Sequence, residues 1–177
     1  MNGRRNLGWV AYSCVFSLFL SAGLHAQEAA KHPITFDDLI RMHRVSETQV
    51  SPDGKWVAYT VATPDLEANR NASDIWMVPT GSGAPMQLTR SGHDSSPVWS
   101  PDGKQLAFLS AREGNSQVYL LSMEGGEARA LTHLSTGADM VKWSPDGKMI
   151  LFISAVYPDC KDDASILRAM PSEKRIR

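Results

Sequence analysis

Two cysteines in 177 residues exclude a disulfide-dense scaffold and a four-thiolate zinc site. Charge of neither sign is in excess: 18 Lys and Arg against 19 Asp and Glu leave a net charge of −1, so there is no electrostatic footprint for nucleic acid. No apolar run reaches the ~20 residues that a membrane-spanning helix needs. The Gly-x-Ser-x-Gly elbow of an α/β-hydrolase nucleophile is missing. His32, His43, His93 and His133 share no metal-ligand spacing and read as surface or loop residues. What remains is an ordinary globular composition, 42% hydrophobic and 21% charged, of a length for one domain or a domain plus a tail.

The first residues read as an address. Arg4 and Arg5 precede Val10 to Ala22 (VAYSCVFSLFLSA), which is apolar or small throughout, and Leu24-His25-Ala26 offers a small residue before Gln27. This layout predicts a secretory signal peptide over 1–26 and a periplasmic or secreted protein, with no membrane attachment after cleavage. Cys14 lies inside the apolar run, which argues against a lipoprotein anchor. Cleavage leaves Cys160 as the lone thiol in an oxidising compartment.

The middle of the chain repeats. Ser51-Pro52-Asp53-Gly54-Lys55 returns as Ser100-Pro101-Asp102-Gly103-Lys104 and as Ser144-Pro145-Asp146-Gly147-Lys148, at spacings of 49 and 44 residues. Each copy precedes an apolar strand: Trp56 to Tyr59, Gln105 to Leu109, Met149 to Ile153. The first two continue into Ile75 to Val78 and Val118 to Leu121, pass Gly81-Ser82-Gly83 or Gly125-Gly126, and reach Leu88-Thr89 or Leu131-Thr132. Pro presets φ for the second position of a type I turn, Asp suits the third, and Gly takes the positive φ that comes next. Such a turn joins antiparallel strands, so each unit reads as a meander of about four strands. A period of roughly 40–45 residues with four strands is the signature of a propeller blade. The polar stretch from Pro64 to Ser73 reads as an extended loop. Another all-β repeat, such as a sandwich, is not excluded by periodicity alone.

The expected fold is therefore all-β: a partial β-propeller of about two and a half four-stranded blades, with WD40-like or TolB-like repeats, preceded by a short helix. Thr35 and Asp38 have capping-box spacing, and Leu39, Ile40 and Met42 supply an apolar stripe expected to pack beside the first blade. The predicted boundaries are 1–26 for the signal peptide, 27–44 for the helical segment, 45–163 for incomplete propeller repeats and 164–177 for an irregular tail. Two and a half blades leave an open edge, which predicts a fragment, a truncated product or part of an assembly. Copies closing into a ring are a further option.

Sites of chemistry are not legible. His93-Asp94-Ser95 holds the three residue types of a catalytic triad, but adjacent positions cannot make its geometry, and the trio reads as solvated loop. Asp53, Asp102 and Asp146 read as turn formers, and Trp56, Trp76, Trp99 and Trp143 as blade packing. Asn71-Ala72-Ser73 is a formal glycosylation acceptor. No catalytic, cofactor-binding or metal-binding residue and no cofactor is expected.

Taken together, Ile34 to Leu39, Val45-Ser46 and Gln49 to Tyr59 resemble the start of the propeller in prolyl oligopeptidase family (S9) serine peptidases, nearest to secreted bacterial dipeptidyl and acylaminoacyl peptidases. The two later Trp-Ser-Pro-Asp-Gly-Lys segments fit the same repeats, and Val156 to Cys160 followed by Asp162-Asp163 is similar to the dipeptidyl-peptidase-5-like branch. The similarity runs from about Ile34 to Asp163. It implies a propeller that gates access to an α/β-hydrolase domain cleaving short peptides with a Ser-Asp-His triad. That domain does not appear in the sequence, so the chain alone is expected to be inactive, with a peptide substrate only when joined to a hydrolase domain. Ser-Pro-Asp-Gly-Lys repeats also occur in TolB-type propellers. The alternative is thus a TolB-like periplasmic binding module that holds a protein partner or self-associates through its open blade edge.

Overall fold

The structure is a computed structural model that describes residues 32–156. The predicted leader, the tail and the Tyr157 to Asp163 stretch lie outside the described residues. The chain divides between Ile34 and Thr35. In the first unit, His32 to Ile34 are exposed and irregular. Among the described residues, the regular structure lies in the second unit.

Helix α1 spans Phe36–Arg41. Thr35 caps it reciprocally: its Oγ1 accepts from the Asp38 N–H at 3.3 Å, and Asp38 Oδ2 accepts from the Thr35 N–H at 2.9 Å. The helix forms as expected, but its stripe does not bury. Leu39 and Met42 are 50% and 48% exposed, and only Ile40 is partly covered on the apolar side. Six residues make fewer than two turns, and Met42 already has extended backbone, so it falls off the stripe.

Among the described residues, ten strands form three antiparallel sheets. β1 (Arg44–Val50), β2 (Trp56–Asp65), β3 (Arg70–Pro79) and β4 (Met86–Gln87) form the first sheet in chain order. β5 (Asp94–Trp99), β6 (Gln105–Ser110), β7 (Gln117–Ser122) and β8 (Arg129–Ala130) form the second, and β9 (Asp139–Trp143) with β10 (Ile150–Ile153) form the third. These are two full blades and half of another, an open partial propeller.

The pentapeptide makes the first hairpin of every sheet, and it does so identically three times. In the first turn the Gly54 N–H donates to the Ser51 carbonyl at 2.9 Å, with Gly54 at φ 71°. Ser51 Oγ donates to Asp53 Oδ1 at 2.6 Å and accepts the Trp56 N–H at 2.9 Å, while Asp53 Oδ1 also takes the Lys55 N–H at 3.1 Å. The same four bonds recur around Ser100 and Asp102, and around Ser144 and Asp146. The turn therefore satisfies its own polar groups.

The Leu-Thr repeat has an equally local cause. β4 and β8 are two residues long, so β3 and β7 would be left with unpaired groups. Leu88 N–H bonds the Ile75 carbonyl at 2.8 Å and Thr89 Oγ1 accepts the Ile75 N–H at 3.0 Å. Leu131 and Thr132 do the same for Val118, at 2.7 and 2.9 Å.

The segment from Pro64 to Ser73 is not an extended loop. β2 and β3 continue through it, pairing Pro64 with Asn71 and Asp65 with Arg70, and the turn is only Leu66 to Asn69. Polar composition misled because the hairpin is held from outside: Arg70 Nη1 and the Ser73 N–H both donate to the Gly92 carbonyl, at 3.0 and 3.1 Å. The acceptor Asn71 accordingly lies at the exposed start of a strand.

The core sits between sheets and obeys the two-residue period of strands. Leu106, Phe108, Tyr119 and Leu121 face the first sheet and meet Ala58, Ile75 and Met77, with Trp99. Ala107, Leu109, Val118 and Leu120 face the third and meet Ala138 and Val141. The second sheet is thus buried on both faces. Full burial of a side chain such as Phe108 or Leu106 contributes roughly 1.5–3 kcal/mol. Among the described residues, nothing comparable covers the outer face of the third sheet: Leu151, Ile153 and Met149 are 69%, 55% and 67% exposed.

Candidate functional site

Three constructions hold the blades against each other, and together they bound the surfaces on which a site can lie. The first uses the tryptophan before each later pentapeptide. Trp99 Nε1 donates to the Gln49 carbonyl of the first sheet at 3.1 Å, and Trp143 Nε1 donates to the Val98 carbonyl of the second at 3.1 Å. Gln49 and Val98 occupy equivalent repeat positions. The turns stack as well: a Cβ on Gly103 would lie 3.7 Å from Pro52, and one on Gly147 would lie 3.6 Å from Pro101.

The second construction is a bulge in the first strand of each sheet. Glu47, Ser96 and Met140, at equivalent positions, have φ of 54°, 55° and 44°. Positive φ is uncommon outside glycine, and a bulge re-aims the side chain. At Glu47 this sends the carboxylate to the next sheet: Oε2 accepts the Ser96 N–H at 2.6 Å and Thr60 Oγ1 at 2.8 Å, and Oε1 accepts Ser96 Oγ at 2.9 Å.

The third is a buried ion pair, and it corrects the expectation for His93-Asp94-Ser95. Asp94 is not in a solvated loop. It opens β5, its side chain is 0% exposed, and Arg112 Nη2 reaches both its oxygens at 2.9 Å. Arg112 Nε also donates to Ser110 Oγ at 2.9 Å, and the guanidinium lies 4.6 Å from the Tyr119 ring centre. Burial pushes the Asp94 carboxyl upward, but hydrogen bonds from Ser110, Arg112, Ser91 and Thr89 outweigh it and hold the group below its ordinary value. The partner lies eighteen residues away, where no local pattern announces it. Asp74 nearby is raised, chiefly by burial, with the Gly92 N–H opposing and the Asp94 charge adding to the rise.

His93 itself is exposed, and the Asp94 carboxylate is held by an arginine and hydroxyls. The trio therefore does not make a triad. Asp53, Asp102 and Asp146 lie in the turns, each lowered first by its serine hydroxyl and then by the lysine N–H two residues on. Trp99 is buried, and Trp56 and Trp143 pack against the two inter-sheet cores. Among the described residues, no group of three or more His, Cys, Asp or Glu can hold a metal ion.

One cavity sits on the turn edge. A cleft of about 520 Å³ runs between the second and third pentapeptide turns, lined by Pro101, Asp102, Lys104, Gln105, Trp143 and Asp146 among others. Its volume is that of a small-molecule or side-chain pocket.

A repeated four-stranded meander, with a bonded turn and an indole latch at each junction, invites comparison with known propellers. The profile of the Tricorn protease N-terminal β-propeller domain matches residues 70–169. The chain belongs to this family. Its match extends past Asp163, the end of the resemblance seen in the sequence. The uncharacterized peptidase YuxL of Bacillus subtilis is 42% identical over 109 residues, 60% of this chain and 17% of that protein. Dipeptidyl-peptidase 5 of Porphyromonas endodontalis is 28% identical over 125 residues, 70% of this chain and 18% of that protein. The acylaminoacyl peptidase structure from Pyrococcus horikoshii shares the fold with a TM-score of 0.58 at 19% identity, over 70% of this chain and 19% of that one. This Tricorn-type propeller chain thus spans less than a fifth of each of these three proteins.

Proposed function

We propose that this chain is the substrate-gating propeller portion of a secreted or periplasmic S9-type serine peptidase of the dipeptidyl or acylaminoacyl class, without hydrolytic activity of its own. The observation that carries this reading is the similarity to YuxL and to dipeptidyl-peptidase 5, which crosses the repeated blades of a Tricorn-type propeller. The described blades supply rigid stacked sheets, and their one triad-like trio is locked in an ion pair. Acyl transfer would fall to an α/β-hydrolase segment, and the propeller would restrict which peptides reach it. The signal-peptide layout of residues 1–26 supports export, and no helix among the described residues is long and apolar enough to cross a membrane. Among the described residues, the exposed outer face around Leu151 and Ile153 fits a sheet that a further blade would cover.

The test is to sequence the coding DNA through codon 163 and several hundred codons beyond, in all three frames. The expected result is further blades and then a Gly-x-Ser-x-Gly elbow, with peptide hydrolysis once a single frame joins them. Blades without an elbow would overturn the peptidase reading in favour of a TolB-like binding module. A stop with no coding sequence beyond it would also overturn it.

A further inference from the structure

The three turns share their hydrogen bonds but differ in the next residue of the chain. The residue after the lysine is Trp56 in the first repeat and Gln105 in the second. Both residues have the same backbone placement, each N–H donating to the turn serine Oγ at 2.9 Å. Trp56 packs against the core between the first two sheets. At the next junction Gln105 stands in its place, and there the cleft lies open. An indole that one junction supplies from within is missing at the other.

The remaining walls suit a ring with a positive charge beside it. Trp143, whose indole N–H is fixed on the Val98 carbonyl, and the rings of Pro101 and Pro145 supply apolar surface. Asp102 and Asp146 also line the cleft. Their Oδ1 atoms are taken by the serine hydroxyl and lysine N–H of their own turns. In the first turn Lys55 Nζ approaches Asp53 Oδ2 at 3.6 Å, whereas no ion pair forms at Asp102 or Asp146 among the described residues. Among the described residues, the cleft is lined by one cation, Lys104, and two carboxylates, Asp102 and Asp146. An aromatic ring packed between prolines and an indole, with a cation near a carboxylate, combines two favourable contacts.

We propose that this cleft binds an aromatic side chain of a peptide that carries a positive charge next to the ring. The ring takes the place that Trp56 fills at the preceding junction, and the cation meets Asp102 and Asp146. This binding is independent of the peptidase reading, since it involves only the two turns, Gln105 and Trp143.

The probes are tryptophanamide, which is cationic, and N-acetyltryptophan, which has the same ring and a negative charge. Each is titrated into the ¹⁵N-labelled chain while the Trp143 indole N–H and the Gln105 side-chain amide are monitored by NMR. The expected result is saturable movement of both signals, with tryptophanamide binding about fivefold tighter, the strength of an exposed ion pair. Asp102→Asn with Asp146→Asn, which preserves the turn acceptors, should erase the preference and keep the ring binding. Gln105→Trp, with its fold checked by an unchanged melting temperature, should abolish the movement. Should Gln105→Trp not fold, the double Asn variant alone decides. Absence of saturable movement, equal binding of both probes, or a preference that survives the double Asn change would overturn the proposal.

Discussion

Trp99 donates its indole N–H to the carbonyl of Gln49, fifty residues back and one sheet away, at 3.1 Å. Trp143 repeats the bond to Val98 at the next junction. The bond ties the last residue of one blade's first strand to the backbone of the preceding blade. It fixes both spacing and register where hydrophobic packing alone is permissive. Replacing Trp99 by Phe keeps a ring and removes the donor, leaving the Gln49 carbonyl without that bond. The expected cost is about 1–2 kcal/mol in chemical denaturation. A change below the error of the measurement would show that the ring, not the bond, sets the junction.

Gly103 holds φ 71° in its turn, and a Cβ there would meet only Pro52 at an ordinary 3.7 Å. Space is therefore not the obstacle; backbone conformation is. Gly103→Val is expected to cost about 1–3 kcal/mol, since a β-branched residue resists positive φ. Equal melting of variant and wild type would refute the turn assignment.

Asp94→Asn leaves Arg112 partly buried without its carboxylate, and the expected loss is about 3 kcal/mol at pH 7. The dependence on pH stems from the lowered carboxyl. Its stabilisation is fully present above the ordinary carboxylate range near 4 and is lost as pH falls through the depressed folded value. The gap between wild type and Asp94→Asn should therefore be widest at neutral pH and close in strong acid. A gap that stays constant from pH 7 to pH 2 would mean that the ion pair contributes nothing to stability.

Among the described residues, Leu151, Ile153 and Met149 leave an apolar face on the third sheet, and β10 pairs with β9 alone. Such a surface invites association. Leu151→Lys should change stability by no more than about 0.5 kcal/mol and reduce concentration-dependent association in light scattering. A head-to-tail ring of copies has a specific obstacle: Val50, 61% exposed, occupies the position held by Trp99 and Trp143 in the later repeats. That seam would lack the indole bond. A discrete closed ring in light scattering, unchanged by Leu151→Lys, would contradict both points.

The turns, the blade count and the capped helix were legible because their causes are local. Ser51, Asp53 and Gly54 satisfy one another within five residues, and Thr35 and Asp38 cap within four. The strands of the second sheet were legible because Leu106 to Leu109 are apolar on both faces. What escaped depends on distant partners. Asp94 is decided by Arg112, the long β2–β3 hairpin by the Gly92 carbonyl, and the blade junctions by carbonyls about fifty residues away. The cleft at Gln105 has a sequence signal, the exchange of Trp56 for Gln105 in aligned repeats. It gains meaning only once the turns are seen side by side.

Indole bonds hold consecutive blades in register, and hydrogen exchange of the indole N–H groups, read by NMR, probes this directly. Trp99 and Trp143 should exchange slowly and together. Trp56 and Trp76, whose indoles make no such bond among the described residues, should exchange fast. Exchange of Trp99 and Trp143 as fast as that of Trp76 would show that the blades are held in register by something other than these bonds.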